Sequence, residues 1–131
     1  MRRDRAYLKH ILEAITNIEK FVEGLTKEQF FENVEKQYAV LRGLEIIGEA
    51  TKNLSKDLKA KYREIPWREI AGMRDKLIHQ YFSVNLELVW VTIKEKLPEF
   101  KKQILKILKE IRAKPKAHNE IKRLFLTIVF A

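Results

Sequence analysis

Apolar residues recur at three- and four-residue steps along most of the chain, a pattern typical of amphipathic helices packed around one core. Residues 5–23 carry the first stripe: Leu8, Ile11, Leu12, Ile15, Ile18 and Val22. Gly24 is expected to end this helix. Thr26 is expected to cap the next helix, with Gln29 completing a capping box.

The next stripe predicts one long second helix from Lys27 to Leu54. Its core residues are Phe31, Val34, Tyr38, Leu41, Leu44, Ile47, Ala50 and Leu54. A break is expected through residues 55–66. Pro66 then suits a helix start at Trp67, and this third helix should end near Phe82.

The last stripes lie on either side of Pro98, which should bend or restart the chain. Leu86, Val89, Trp90, Ile93 and Leu97 precede it, and Phe100, Ile104, Leu108 and Ile111 follow it. Alternating strand patterns and glycine hairpins are missing from the sequence. The pattern therefore predicts an all-α antiparallel bundle of four to five helices.

The composition bounds the protein to one domain of 131 residues, with 46% hydrophobic and 34% charged residues. With no cysteine, disulfide and thiolate chemistry are excluded. The charged start MRRDRAYLKH predicts no signal peptide, and the longest apolar run, LFLTIVFA, is too short for a membrane span. A cytoplasmic location and no contact with a membrane are expected.

The net charge of +9 favours a polyanionic partner, although a modest basic excess is more often solvated surface. From Arg112 onward five basic residues face one acidic residue, which leaves +4 in the tail. Residues 1–111 are predicted to form the helical domain. Residues 112–131 are a basic linker and a short apolar helix or strand, which could pack on the bundle or exchange with a neighbouring chain.

A polar cluster lies in MRDKLIHQYF, residues 73–82, which holds Arg74, His79 and Tyr81. At about 100° per residue, Arg74 and Tyr81 lie about 20° apart around an ideal helix, whereas Arg74 and His79 lie about 140° apart. One unbroken helix therefore cannot bring all three together. Either the helix ends near His79, or a second chain completes the site. A plain helix edge, with an ion-paired arginine and a core tyrosine, is the alternative.

Three segments in this order carry a family resemblance: RGLEIIGEATKNLS, IPWREIAGMRDKLIHQYF and NLELVWVTIKEKLPEF. Together they resemble the HepT-like branch of the HEPN superfamily, over roughly residues 3–111. The matching motif is R-x4-H-x-Y, formed here by Arg74, Asp75, His79 and Tyr81. The resemblance does not extend over the tail.

The resemblance implies a toxin that acts as a metal-independent endoribonuclease and forms homodimers whose motifs line a shared cleft. It also implies a minimal nucleotidyltransferase antitoxin, MntA, which would transfer AMP from ATP to Tyr81. This chain itself would need no cofactor, because ATP is used by the partner. A half-buried core tyrosine is the alternative for Tyr81.

The residue types suit RNA cleavage, since the ribose 2′-OH is the nucleophile. His79 can move a proton near neutral pH, and Arg74 can stabilise charge on the phosphate. Asp75 could orient His79 from one turn back. The polar stripe Arg42, Glu45, Glu49 and Asn53 could support the cleft or form an ordinary salt-bridged face. His10 and His118 have no ligand-spaced partner, so no metal site is predicted.

Two alternatives to the ribonuclease stay open. One is a non-catalytic subunit that binds nucleotide or RNA beside a minimal nucleotidyltransferase, with Arg74 and His79 only holding phosphate. The other is a helical interaction protein whose basic surface has no active site.

Overall fold

Helices account for the regular structure in the computed structural model of the chain, which describes residues 2–78, 84–112 and 123–129. The elements up to residue 112 are α1 (Arg2–Val22), α2 (Lys27–Glu32), α3 (Val34–Lys52), α4 (Lys56–Lys61), α5 (Trp67–Ile78), α6 (Leu86–Val91), a π-helical segment (Thr92–Lys96) and α7 (Leu97–Arg112). No strand occurs within the described residues. The prediction of an all-α bundle is confirmed.

The core lies between four long helical segments: α1, α3, α5 and the continuous stretch from α6 to α7. Helix α3 packs against both α1 and α5, and α7 packs against α1. The side chains that are fully enclosed there include Leu8, Ile11, Ile15, Phe30, Val40, Leu44, Ile47, Val89 and Ile104. Each such side chain contributes about 1.5–3 kcal/mol through removal from water.

Helix α1 lies close against α3 at Gly43. A Cβ atom built there would lie 2.6 Å from Cγ1 of Ile18 and 2.7 Å from its Cδ1. These distances are far below ordinary van der Waals contact. The glycine therefore sets how closely the two helices pack, and Ile18 fills the space that a side chain would need.

The predicted second helix is wrong as one unit, because it is broken at Asn33. Asn33 has extended backbone angles (φ −104°, ψ 90°), and its side chain accepts a hydrogen bond from the backbone N–H of Lys36 at 3.0 Å. It thus ends α2 and caps α3. As a consequence Val34 and Tyr38, predicted as core, are 58% and 71% exposed.

The caps predicted around the first connection are confirmed. Gly24 has a φ of +77°, the left-handed conformation that favours glycine after a helix. Thr26 accepts a hydrogen bond from the backbone N–H of Gln29 at 3.1 Å, and the Gln29 side chain accepts one from the N–H of Thr26 at 2.9 Å. This capping box fixes the start of α2.

The predicted break at residues 55–66 contains a further short helix, α4. Ser55 caps it by accepting a hydrogen bond from the N–H of Leu58 at 3.1 Å, and Leu58 is buried. Apolar spacing does not reveal this helix, because its six residues bury only one apolar side chain, Leu58.

Pro98 restarts no separate helix, because the chain stays helical from Leu86 to Arg112. The π-helical segment directly precedes it, and this wider turn accommodates a proline that cannot donate a hydrogen bond to the preceding turn. Val89, Ile93, Leu97, Phe100 and Ile104 are buried as predicted.

Residues 123–129 form a helix, and all seven are exposed. We call this element the tail helix. None of the described helices combines the length and the apolar composition that a bilayer crossing requires.

Candidate functional site

The start of α5, the helix that carries the predicted motif, is anchored by Trp67. Its indole N–H donates to the backbone carbonyl of Tyr62 at 3.0 Å, and its ring meets Phe100 edge-on, with 6.2 Å between the ring centroids. The N–H of Ile70 donates to the carbonyl of Pro66 at 3.0 Å, which closes the first turn. The helix is thereby fixed against α7 before the motif begins.

The predicted site residues are only partly within the described structure. Arg74 lies in α5, one turn before its end, and its side chain falls outside what is described. Asp75 is exposed and makes an interaction of its own. His79 and Tyr81 lie outside the described residues. That Arg74, His79 and Tyr81 meet in one site therefore stays a prediction.

The polar stripe on α3 is engaged locally at two of its positions. Arg42 pairs with Glu45 one turn on, at 3.4 Å between Nη1 and Oε2. The Asn53 side chain donates to the carbonyl of Glu49 at 2.8 Å, which makes it part of the end of α3. Glu45 and Glu49 make further interactions. These contacts favour a structural role for Arg42 and Asn53.

A groove of about 420 Å³ opens beside α5, between that helix, α6, the π-helical segment and α7. We call it the α5–α7 groove. Its apolar lining comprises Ile47, Pro66, Ile70, Met73, Leu88, Leu97 and Phe100. Its polar lining comprises Glu64, Glu69, Lys76, Thr92, Lys96, Glu99 and Gln103. Met73 and Lys76 flank the predicted motif, so the groove borders the helix that carries it.

Sequence reasoning missed the groove because its polar residues come from separate helices. Lys76 lies on α5 and Lys96 in the π-helical segment, and each has the appearance of a solvated lysine in its own helix. Ile70 and Met73, which are apolar and lie one turn apart on α5, were the signal in the sequence that this side of the helix is not simply solvated.

The histidines outside the motif form no site within the described part of the chain. His10 is exposed on α1, and its ring meets Tyr7 edge-on at 6.3 Å. His118 lies outside the described residues. No group of three histidine, aspartate or glutamate side chains in the described ranges could hold a metal ion.

A buried tyrosine that sequence analysis left unassigned ties the end of α4 to α7. Tyr62 donates a hydrogen bond from its hydroxyl to the carboxylate of Glu110. Burial, together with this hydrogen bond and the negative charge of Glu110, raises the pKa of Tyr62 to about 12. The phenol is held in its neutral form, which suits a structural donor better than a proton-transfer group.

Comparison with known proteins decides the family. The sequence model of the ribonuclease HepT-like family matches residues 11–107, a range that includes Arg74, Asp75, His79 and Tyr81. The chain belongs to the ribonuclease HepT-like family. The expected resemblance is confirmed, and the family is named for ribonuclease activity.

The match to this HepT-like chain spans nearly the whole length of each of the following relatives. A protein of Methanocaldococcus jannaschii named "putative RNase" is 49% identical over 114 residues, 86% of this chain and 94% of the relative. One of Caldanaerobacter subterraneus, also named "putative RNase", is 46% identical over 84% of this chain and 98% of the relative.

A third relative carries the family's name. The protein of Thermococcus cleftensis named "probable ribonuclease HepT" is 48% identical over 82% of this chain and 98% of the relative. No solved structure matches the HepT-like chain. The family match ends at residue 107, before the basic tail.

Proposed function

We propose that this HepT-like protein is the toxin of a toxin–antitoxin pair and cuts RNA with Arg74 and His79. The observation that carries the proposal is the family match, which spans the whole R-x4-H-x-Y segment in a family named for ribonuclease activity. The net charge of +9 adds a general attraction for RNA, because binding a polyanion releases its counterions.

The proposed reaction is a transesterification that needs no metal. The ribose 2′-oxygen attacks the adjacent phosphorus, and the bond from phosphorus to the 5′-oxygen breaks. One imidazole takes the 2′-OH proton, and one delivers a proton to the departing 5′-oxygen. The Arg74 guanidinium stabilises the negative charge that develops on the phosphate oxygens. The products are a 2′,3′-cyclic phosphate and a 5′-OH.

A homodimer would supply the two imidazoles, one His79 from each protomer. Helical geometry supports this arrangement, because Arg74 and His79 point about 140° apart on one ideal helix. Two motifs facing each other across a two-fold axis would bring a histidine of one chain to an arginine of the other.

The proposed regulation acts on Tyr81. A minimal nucleotidyltransferase antitoxin would transfer AMP from ATP to the Tyr81 hydroxyl, with pyrophosphate as the leaving group. The added phosphate would occupy the anion site of Arg74 and exclude the RNA backbone. Asp75 is proposed as a supporting residue that orients His79.

The test is RNA cleavage in excess EDTA by protein whose intact mass excludes AMP on Tyr81. We expect the wild type to cut and His79→Ala to be inactive. His10→Ala is the matched control, because His10 is exposed on α1 and distant in sequence from the motif. Cleavage by His79→Ala at the wild-type rate would overturn the assignment. Failure of both proteins to cut would indicate the non-catalytic nucleotide- or RNA-binding subunit instead.

The chemistry of the ends provides a second check on the mechanism. A 5′-OH and a cyclic phosphate are expected at the cut, detected by kinase labelling and by mass spectrometry of the fragments. A 5′-phosphate would contradict attack by the 2′-oxygen.

A further inference from the structure

Five of the nine large apolar side chains that are exposed within the described residues lie on the tail helix. Its five large apolar side chains are Leu124, Phe125, Leu126, Ile128 and Val129, exposed to 63%, 63%, 46%, 77% and 54%. Arg123 and Thr127 lie on one narrow face of the helix, and the five apolar side chains cover the rest of its circumference. A contiguous patch of this kind on a protein surface marks an interaction site.

The apolar surface of the tail helix also calls for a packing partner. In proteins most of the stability of a helix comes from packing of its apolar face rather than from the intrinsic propensity of its residues. Within the described structure the segment has only its own local hydrogen bonds, such as Thr127 to the carbonyl of Arg123 at 2.9 Å.

The α5–α7 groove is the complementary surface. It offers an apolar floor and an open volume of about 420 Å³, enough for several branched or aromatic side chains. Leu88, at its edge, is 47% exposed, and Met73 and Ile70 are only partly buried. Side chains of the tail helix would cover this apolar surface.

The charges of the two surfaces also match. Three carboxylates, Glu64, Glu69 and Glu99, line the groove against two lysines, so acids outnumber bases there in a chain of net charge +9. Within the described ranges Glu69 and Glu99 take part in no ion pair. The tail carries five basic residues and one acidic residue from Arg112 onward.

We propose that the tail helix of one chain docks into the α5–α7 groove of a second copy. The structure of the single chain leaves the tail helix exposed and Leu88 at the edge of the groove 47% exposed, so the chain does not cover its own groove and a second copy is the occupant that we assign to it. Ten residues, 113–122, precede the tail helix, and a chain of that length reaches at most about 35 Å. Reciprocal exchange between two copies closes a two-fold pair and leaves no free groove.

The chain has no cysteine, so disulfide mapping needs only the introduced thiols. Full-length Phe125→Cys is mixed with full-length Leu88→Cys, oxidised at low concentration and separated without reductant. The matched control replaces Leu88→Cys by Leu105→Cys, because Leu105 is 45% exposed but lies outside the groove lining. We expect a disulfide-linked pair with Leu88→Cys and at most a tenth as much with Leu105→Cys, as an order-of-magnitude estimate for a specific contact.

A chain that carries both Phe125→Cys and Leu88→Cys distinguishes docking of the tail helix into a second copy from docking into its own groove. Docking in a second copy gives covalent dimers, whereas a disulfide within one chain overturns the proposal in favour of a tail that covers its own groove. Equal linking through Leu88→Cys and Leu105→Cys, or none through either, overturns it as well.

Association without thiols provides an independent readout. Phe125→Asp should weaken self-association in sedimentation by about tenfold or more, and Leu88→Asp should do the same from the groove side. Circular dichroism checks that both variants are folded. Unchanged association, or binding of the wild type to anionic lipid vesicles that Phe125→Asp abolishes, would overturn the proposal. The outcome is independent of RNA cleavage, which the His79→Ala comparison tests separately.

Discussion

The carboxylate of Asp4 accepts two hydrogen bonds from Ser55, one from the backbone N–H at 2.8 Å and one from the hydroxyl at 2.6 Å. The same hydroxyl oxygen accepts from the N–H of Leu58 and caps α4. Asp4 is almost fully buried on α1. One serine thus joins the first helix of the chain to the short helix that precedes α5.

Asp4→Ala should lower the free energy of unfolding by about 1–3 kcal/mol, because it removes two charge-assisted hydrogen bonds. Ser55→Ala should lower the free energy of unfolding by about as much, since it removes the hydroxyl that donates to Asp4 and caps α4, although the backbone N–H of residue 55 still donates to Asp4. Urea unfolding of the two single variants and the double variant should show coupling of the two sites. Asp57→Ala, an exposed acid in the same short helix, is the control. Additive losses would contradict a direct bond.

Gly43→Ala and Gly72→Ala should change stability in opposite directions. Gly43→Ala forces Ile18 to move, because a Cβ would lie 2.6 Å from it, and a loss of about 1–3 kcal/mol is expected. Nothing lies within 4 Å of a Cβ at Gly72 in α5, so alanine should raise stability by about 0.5–1 kcal/mol. Thermal and urea unfolding measure both. A stabilising Gly43→Ala would show that α1 and α3 separate easily.

Thr51→Val should stabilise the protein. Thr51 is fully buried in α3, and its hydroxyl has no hydrogen-bond partner within the described residues. Valine keeps the shape and removes the unsatisfied group, for an expected gain of about 1 kcal/mol. Thr51→Ser, which keeps the hydroxyl and loses the methyl, should instead destabilise. The prediction fails if valine lowers the midpoint of urea unfolding.

The hydroxyl of Tyr62 should make stability depend on alkaline pH. Its pKa is raised to about 12 in the folded protein, from the usual 10, so the folded state holds the proton more tightly than the unfolded state. The resulting stabilisation is complete below pH 10 and is lost as the pH rises towards 12.

The comparison is with Tyr62→Phe, which lacks the titrating group. The difference in unfolding free energy between wild type and Tyr62→Phe should shrink between pH 10 and 12. Phenolate absorbance should show one tyrosine that titrates late in the wild type and is missing from the variant. A difference independent of pH in that range would contradict the raised pKa.

Arg74→Lys should cut RNA more slowly than the wild type but faster than Arg74→Ala, under the proposed mechanism. Lysine keeps the charge and loses the fork that binds two phosphate oxygens. Loss of the group is expected to cost about 10²–10³-fold in kcat. Arg68→Lys, an exposed arginine on the same helix, is the control. Wild-type kcat in Arg74→Lys would show that only the charge is needed.

The helices were predictable where local chemistry decides them. Thr26 with Gln29, and Gly24 in its left-handed conformation, act through groups within a few residues, so the sequence alone locates them. The break at Asn33 was not predictable from apolar spacing, because Phe31, Val34 and Tyr38 continue the periodicity through it. The Asn33 cap ends α2 instead, and it turns Tyr38 to solvent.

The candidate site, too, was predictable from the sequence only in part. The helix that carries Arg74 and Asp75 was predictable, because Pro66 and Trp67 mark its start. The α5–α7 groove was not, since Lys76 and Lys96 come to line one groove only in the folded chain. The meeting of Arg74 with His79 and Tyr81 depends on residues outside the described ranges, so it stays a prediction.

The π-helical segment makes the chain from Leu86 to Arg112 sensitive to insertions and deletions. Val89, Ile93 and Leu97 are buried at four-residue steps, each of which overshoots a full α-helical turn by about 40°. The wider π turn absorbs that overshoot, so Phe100, Ile104 and Ile107 still face the core. Removing one residue there would rotate everything after it by about 100° and turn lysines inward. Substitutions on the exposed face of this stretch should therefore be tolerated more readily than an insertion or deletion within Thr92–Lys96.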